Sequence, residues 1–168
     1  MKIAAAFAVS LLFLTATWES HGQQTSPPQP QAESVVPPFK SNATEQELVD
    51  RINARRKEAK LEPLTISPLL FEAARQHSQS MAQQRELKHT LNDQDLPARL
   101  KAVGYAWSRC GENIARGQGT PTEVLQTWMD SPGHRANLLQ DSATQLGVGM
   151  AKGADGQTYW TLVVAAPR

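Results

Sequence analysis

Residues 145–165 read QLGVGMAKGADGQTYWTLVVA, and they decide the fold class. Gln145 to Ala151 and Thr158 to Ala165 are rich in β-branched, aromatic and apolar residues, and Gly153-Ala154-Asp155-Gly156 supplies a turn between them. That pattern predicts a β-hairpin at the end of the chain. Upstream the periodicity is helical. Thr44 followed by Glu47 forms a capping-box pattern ahead of Leu48, Val49 and Ile52, which predicts a helix running to about Lys60. Ser67-Pro68 starts a second helix with Leu70, Ala74, His77 and Met81 on one face, ending near Glu86. A short helix is expected from Pro97 to Val103, stopped by Gly104, and 105–119 reads as loop with a short extended segment. Thr120-Pro121-Thr122-Glu123 caps another helix that turns Val124, Leu125 and Trp128 inward. Ser131-Pro132 caps the next, with His134 in its first turn. Helices first and strands last, without βαβ alternation, predict an α+β domain with helices packed on a mostly antiparallel sheet.

Beyond this domain the chain changes character. Met1-Lys2 and the apolar run from Ile3 to about Ala16 have the form of an export signal, placed at 1–20 with cleavage between Thr17 and Gln23. The run is too short for a transmembrane span, which needs roughly 20 apolar residues, and nothing later is long or apolar enough. A secreted or periplasmic location follows. Residues 21–40 are dominated by Gln, Pro and Ser, the composition of a solvated linker. Residues 41–168 then form one domain. The formal charge of +1, from 17 basic and 16 acidic side chains with no basic stripe, argues against a nucleic-acid partner. Cys110 is the single cysteine, so the chain makes no disulfide within itself. It reads as a small buried apolar side chain, with a reactive or intermolecular thiol as the alternative.

Several stretches in order carry a family likeness: Ile52-Asn53 with Arg56, Pro63-Leu64, Ala73-Ala74 with Met81-Ala82, and Leu87-Lys88-His89. Gly111-Glu112-Asn113-Ile114-Ala115, Trp128, Ser131-Pro132-Gly133-His134-Arg135 and Leu146-Gly147-Val148-Gly149 complete the set. Together they resemble the CAP superfamily of cysteine-rich secretory, antigen-five and pathogenesis-related proteins (the SCP domain), in its short bacterial form. The resemblance covers nearly all of residues 45–168. It implies a three-layer α-β-α sandwich and an extracellular life. It also implies a cleft lined by two histidines and two acidic residues, of which His89, Glu112 and His134 match. The fourth position falls on Ser131, with Asp130 or Glu123 as substitutes. The disulfides of eukaryotic members are absent, so properties of their cysteine-rich appendages do not carry over.

Two neutral imidazoles and a carboxylate are suitable ligands for a first-row divalent ion, Zn²⁺ first, with water completing the shell. His89 and His134 are the expected metal ligands, far apart in sequence and dependent on the fold to meet. Structural roles compete with these. Glu112 can organise a turn by accepting backbone N–H groups, and the two histidines can be hydrogen-bonded core residues. His77, on an apolar helix face, reads as a satisfied buried histidine. Arg56 and Arg135 read as ion-paired or solvated, and Trp128 and Trp160 as core. Two functions follow. One is a non-catalytic binding or signalling module whose cleft holds a divalent metal, a small apolar or lipid ligand, or an extracellular protein partner. The other is a metal-assisted peptidase or esterase with Glu112 as general base. Ser131, near His134, invites a nucleophile role, but helix capping suffices to explain it.

Overall fold

The structure, a computed structural model, describes residues 39–168. The expected export signal, and the expected linker up to residue 38, lie outside the described residues. Nine elements follow in chain order: α1 (Ala43–Glu58), β1 (Thr65–Ile66), α2 (Pro68–Gln84), α3 (Leu96–Ala102), β2 (Trp107–Arg116), α4 (Pro121–Asp130), α5 (Pro132–Leu138), β3 (Gln145–Lys152) and β4 (Thr158–Pro167). The sheet order is β1-β3-β4-β2. The expected hairpin is present: β3 and β4 pair antiparallel in a register that runs from Gln145 opposite Ala165 to Lys152 opposite Thr158. β2 joins the other side of β4, also antiparallel, and β1 pairs parallel with β3, so the sheet is mixed.

β4 shows why the architecture is three-layered. Every residue from Tyr159 to Ala165 is buried, so the strand is covered on both faces. Its period-2 alternation sorts the core. Trp160, Leu162 and Val164 pack with Leu48 and Ile52 of α1, Trp128 of α4 and Leu138 of α5. Val163 and Ala165 pack with Leu70, Ala73 and Ala74 of α2 and Leu100 of α3. The arrangement is the α-β-α sandwich, with Trp128 and Trp160 in its core as expected.

Helix α2 lies unusually close to the sheet. A Cβ on Gly147 would stand 2.1 Å from the Leu70 carbonyl carbon, and one on Gly149 would stand 2.5 Å from that of Ala74. Two glycines in β3 therefore let helix backbone rest on strand backbone. The Ser78 hydroxyl closes the contact by donating to the Gly149 carbonyl at 3.0 Å, and it lies 2.9 Å from Thr161 Oγ1.

Several local expectations change. The capping box of α1 uses Asn42 and Glu45, not Thr44 and Glu47: each side chain accepts the other's backbone N–H at 2.9 Å. A tertiary contact selects this register. Glu45 is buried and accepts from Arg75 Nε at 2.7 Å, and that pairing is available only to the inward-facing glutamate. Arg75 also donates to the Lys40 carbonyl, and Phe39 stacks edge-on against Phe71 at 4.8 Å, so these two residues of the expected linker already contact the domain. Thr120 caps α4 as expected, but Glu123 accepts from Gly119 N–H rather than from the cap's own N–H.

The segment expected to be mostly loop, 105–119, contains the ten-residue strand β2. Its Gly, Glu, Asn and Arg have weak strand propensity, and pairing along β4 overrides it. The two-residue β1 was also not expected. Arg56 is neither ion-paired nor solvated. It is 1% exposed and donates to the carbonyls of Glu62, Leu138 and Gln140 at 2.9–3.0 Å and of Ala143 at 3.5 Å. It staples α1 to the chain that follows α5. Cys110 is half-buried on β2 against the Leu70–Leu100 cluster, and burial pushes its thiol pKa up, in keeping with an apolar packing role. Among the described residues no helix is long and apolar enough to cross a membrane.

Candidate functional site

The middle of β2 carries Glu112 and Asn113 under the N-terminal end of α5, with the segment between α2 and α3 alongside. Asn113 is fully buried and donates through Nδ2 to the His134 carbonyl at 2.9 Å. Asn137, one turn along α5 from His134, donates to the Glu112 carbonyl at 3.0 Å and to Asn113 Oδ1 at 2.9 Å. A Cβ at Gly111 would fall 2.9 Å from Asn137 Oδ1, so the glycine makes room for this clasp. These amide bonds fix where α5 sits on β2, and with it the backbone of His134.

The Glu112 side chain is only 4% exposed and has both oxygens engaged. Oε1 lies 2.8 Å from His89 Nδ1, and Oε2 accepts from Arg99 Nη2 of α3. The same guanidinium donates through Nη1 to the His89 carbonyl at 2.8 Å and the Gln94 carbonyl at 3.1 Å. Arg99 thus holds both the carboxylate and the loop that carries His89. His77 stands behind them on α2, buried, with Nε2 3.9 Å from Glu112 Oε1. Glu112 is not the turn-organising carboxylate that its neighbours in sequence suggest, because its partners are side chains.

The histidines differ. The His89 side chain is 57% exposed and presents its second ring nitrogen away from Glu112. His134 is half-buried, and its Nδ1 has no partner among the described residues. Burial lowers the His134 pKa, and the charge of nearby His89 lowers it further. Burial lowers that of His77 as well, opposed by the Glu112 carboxylate and reinforced by Arg99. Both imidazoles are therefore held neutral at neutral pH, the state in which imidazole ligates metals.

The structure joins His89 to Glu112 directly and sets His134 close enough to feel the charge on His89. It does not bring in the other candidates. Asp130 accepts from Gln126 and Glu123 from Gly119, both on the exposed side of α4. Ser131 occupies the cap position of α5, but its side chain makes no capping bond, so capping does not account for it, and no hydrogen bond links it to His134. Among the described residues no group of three or more His, Cys, Asp or Glu side chains is arranged to hold a metal ion. Glu112 is turned toward Arg99, and its carboxylate stands behind His89 as an orienting partner.

Arg99 and His77 are the members of this cluster that sequence reasoning missed. Arg99 sits in a short helix among Leu, Pro, Ala and Lys, and nothing local distinguishes it from a solvated cation. His77 is buried as expected, but its Nε2 is unpartnered among the described residues rather than satisfied.

A mixed sheet between two helical layers, with a strand glutamate paired to a loop histidine beside a histidine at a helix start, defines an SCP-type domain. Residues 49–164 match the family described as CAP, the cysteine-rich secretory protein family, and the chain belongs to it. The uncharacterized protein YkwD of Bacillus subtilis is 37% identical over 125 residues, which are 74% of this chain and 48% of that protein. An extracellular SCP-domain protein of Bacillus anthracis superposes with a TM-score of 0.66 at 29% identity, covering 73% of this chain and 40% of that one. An outer surface protein of Borrelia burgdorferi shares the fold with a TM-score of 0.69 at 21% identity, over 73% of this chain and 92% of that one. The chain spans less than half the length of the curated relatives it matches.

Proposed function

We propose that this CAP domain acts outside the cytoplasm as a non-catalytic binding module, and that its cleft presents His89 and His134 to a divalent metal ion. The observation that carries the first part is the state of Glu112. A general base needs a carboxylate oxygen free to take a proton from water, and here one oxygen accepts from Arg99 while the other pairs with His89. Among the described residues the cluster has no partnered serine or cysteine nucleophile, and the Ser131 side chain makes no capping bond. Metal-assisted hydrolysis with Glu112 as base is accordingly the second reading.

For the metal, the support is a neutral His134, whose Nδ1 has no partner among the described residues, near a half-exposed His89 whose Nδ1 is oriented by a carboxylate. Two imidazoles with water completing the shell imply weaker binding than a closed structural zinc site. Export is supported by the apolar run after Lys2 and by the extracellular Bacillus anthracis relative.

Titrating Zn²⁺ by calorimetry into the wild-type domain and a His89→Ala/His134→Ala variant tests this. Loss of the binding isotherm in the variant is expected, and equal affinity for both sinks the shared-metal reading. Turnover of generic peptides or esters by metal-loaded protein, abolished by Glu112→Gln, would replace the binding module with the hydrolase.

A further inference from the structure

A recess of about 410 Å³ lies where α3 ends and the chain turns back into β2. Gly104, at φ 77°, closes the helix by donating to the Lys101 carbonyl at 3.0 Å, and Tyr105 N–H donates to the Leu100 carbonyl at 2.9 Å. A Cβ on Gly104 would meet nothing within 4 Å, so the space beside this turn is open. Strand β2 then begins with an irregularity. Trp107 stands opposite Pro167 and Arg109 opposite Ala166, which makes Ser108 an extra residue on β2, a β-bulge. The Ser108 hydroxyl lies 3.3 Å from the carbonyls of both Ala166 and Pro167 and holds the bulge in place. Residues three apart on a regular strand face opposite sides, yet Trp107 and Cys110 both pack with the Leu70–Leu100 cluster. The bulge therefore turns Trp107 onto the α3 side, where it lines the recess with Lys101, Tyr105 and Arg168.

The lining selects a chemistry. Trp128 and Trp160 are core side chains whose indole N–H groups donate to the carbonyls of Ile114 and Gln118. Trp107 is half-buried, and its indole N–H has no such partner among the described residues. Lys101 and Arg168 are exposed, and among the described residues neither side chain takes part in an ion pair, a hydrogen bond or a cation–π contact. The Tyr105 hydroxyl is engaged, donating to Gln145 Oε1 at 2.8 Å, and Gly104 and Ala106 bring no polar side chain. The free polar side-chain groups of the lining are therefore all donors, two of them cations, and no carboxylate side chain stands among them. A cation would meet like charge. A polyol would find no free side-chain acceptor for its hydroxyl protons, and a wholly apolar molecule would leave the two cations unused. A carboxylate on a flat apolar body uses the cations and the indole together. The volume falls within the roughly 300–1,000 Å³ of small-molecule sites.

We propose that this recess binds a small aromatic carboxylate, with its ring against Trp107 and its carboxylate between Lys101 and Arg168. The two cations come from α3 and from the segment after β4, and the Arg168 N–H, donating to the Ala106 carbonyl at 3.2 Å, keeps them at one place. Ion pairs at exposed side chains are individually weak and screened by salt, and an aromatic contact adds a similar amount. Binding is therefore expected at roughly millimolar Kd and weakens as salt is added. None of these residues belongs to the His89–Glu112–His134 cluster, so the assignment is independent of the metal reading.

The test is an NMR titration of the protein with phenylacetate, read at the backbone amides and at the Trp107 indole N–H, which Trp107→Leu assigns. Phenylacetamide serves as the neutral analogue and cyclohexylacetate as the acid without an aromatic ring. Saturable shifts of the Trp107 indole and of the Gly104 and Ala106 amides are expected with phenylacetate, with affinity at least about threefold weaker for either control. Lys101→Glu should lower phenylacetate affinity about tenfold by reversing one of the two charges. Lys101 is exposed, so the melting temperature should not move. The His89→Ala/His134→Ala variant should bind phenylacetate like wild type. The absence of saturable shifts at tens of millimolar overturns the proposal. So do equal affinities for phenylacetate and either control, wild-type affinity in Lys101→Glu, or binding lost in the histidine variant. Failure of the Zn²⁺ titration leaves these outcomes untouched.

Discussion

Two arginines are buried in this domain, and they are held in opposite ways. Arg56 is 1% exposed and donates from Nε, Nη1 and Nη2 to four main-chain carbonyls, a set of neutral acceptors that fixes the chain after α5 against α1. Arg99 is 5% exposed and commits one Nη to a carboxylate and the other to two loop carbonyls, while its Nε has no partner among the described residues. The first is a closed structural knot. The second is an open one, in which a charge pair lies beside buried His77 and an N–H with no partner among the described residues. Buried polar groups in folded proteins are ordinarily satisfied, so the unmet N–H marks Arg99 as the less completely bound guanidinium of the two.

The contrast can be broken by substitution. Arg56→Met should be the most damaging change, about 4 kcal/mol, because it strands several buried carbonyls at once and no single second substitution replaces their donors. Urea unfolding measures this, and a loss below about 1 kcal/mol would show that Arg56 is not a knot. Arg99→Met should cost somewhat less, about 3 kcal/mol, by leaving Glu112 as an uncompensated buried carboxylate. That loss should be largely recovered in Arg99→Met/Glu112→Gln, since the uncompensated charge goes with it. A double variant no more stable than Arg99→Met would mean that Arg99 works mainly through the loop carbonyls, as Arg56 does.

How far the two knots were legible in the chain differs accordingly. Layering was legible, because the apolar run of β4 and the helical stripes carrying Leu48, Leu70 and Trp128 are periodic local signals, and the family motifs added the order of the pieces. The strand character of 107–116 was not, since its Gly-Glu-Asn core pairs only because β4 is there. The same holds for the capping register of α1, decided by Arg75 from a different helix. At the site, His89, Glu112 and His134 were marked by motifs. Arg99, His77 and the roles of Asn113 and Asn137 were not, because each acts through a partner distant in sequence. Arg56 was misread for the same reason: a buried guanidinium bound to carbonyls looks, in sequence, like any surface arginine.

Acid should separate the two regions without a mutation. His77 and His134 have lowered pKa values in the folded state, chiefly from burial, against about 6.5 when unfolded. The unfolded chain therefore binds more protons just below that pH, and stability rises with pH there. Their contribution is intact above about pH 6.5 and is lost as pH falls from there toward the folded values. The urea midpoint should fall between about pH 7.5 and about pH 5.5, and His77→Gln should flatten that dependence while Arg56→Met shifts the curve without changing its shape. An unchanged wild-type midpoint across this range would mean the histidines gain partners that their burial does not provide.

The smallest expected effect is also the sharpest probe of which groups are there for binding. His89 is 57% exposed and pairs with Glu112 at the edge of the cluster, where solvent screens the interaction. His89→Ala should change stability by less than about 1 kcal/mol, because Arg99 remains on the same carboxylate and the loop carbonyls of residues 89 and 94 keep their donor. Yet the same substitution removes one of two imidazoles available to an ion, so Zn²⁺ affinity should drop with little cost to folding. A destabilisation as large as that of Arg99→Met would place His89 inside the structural knot rather than at its exposed edge.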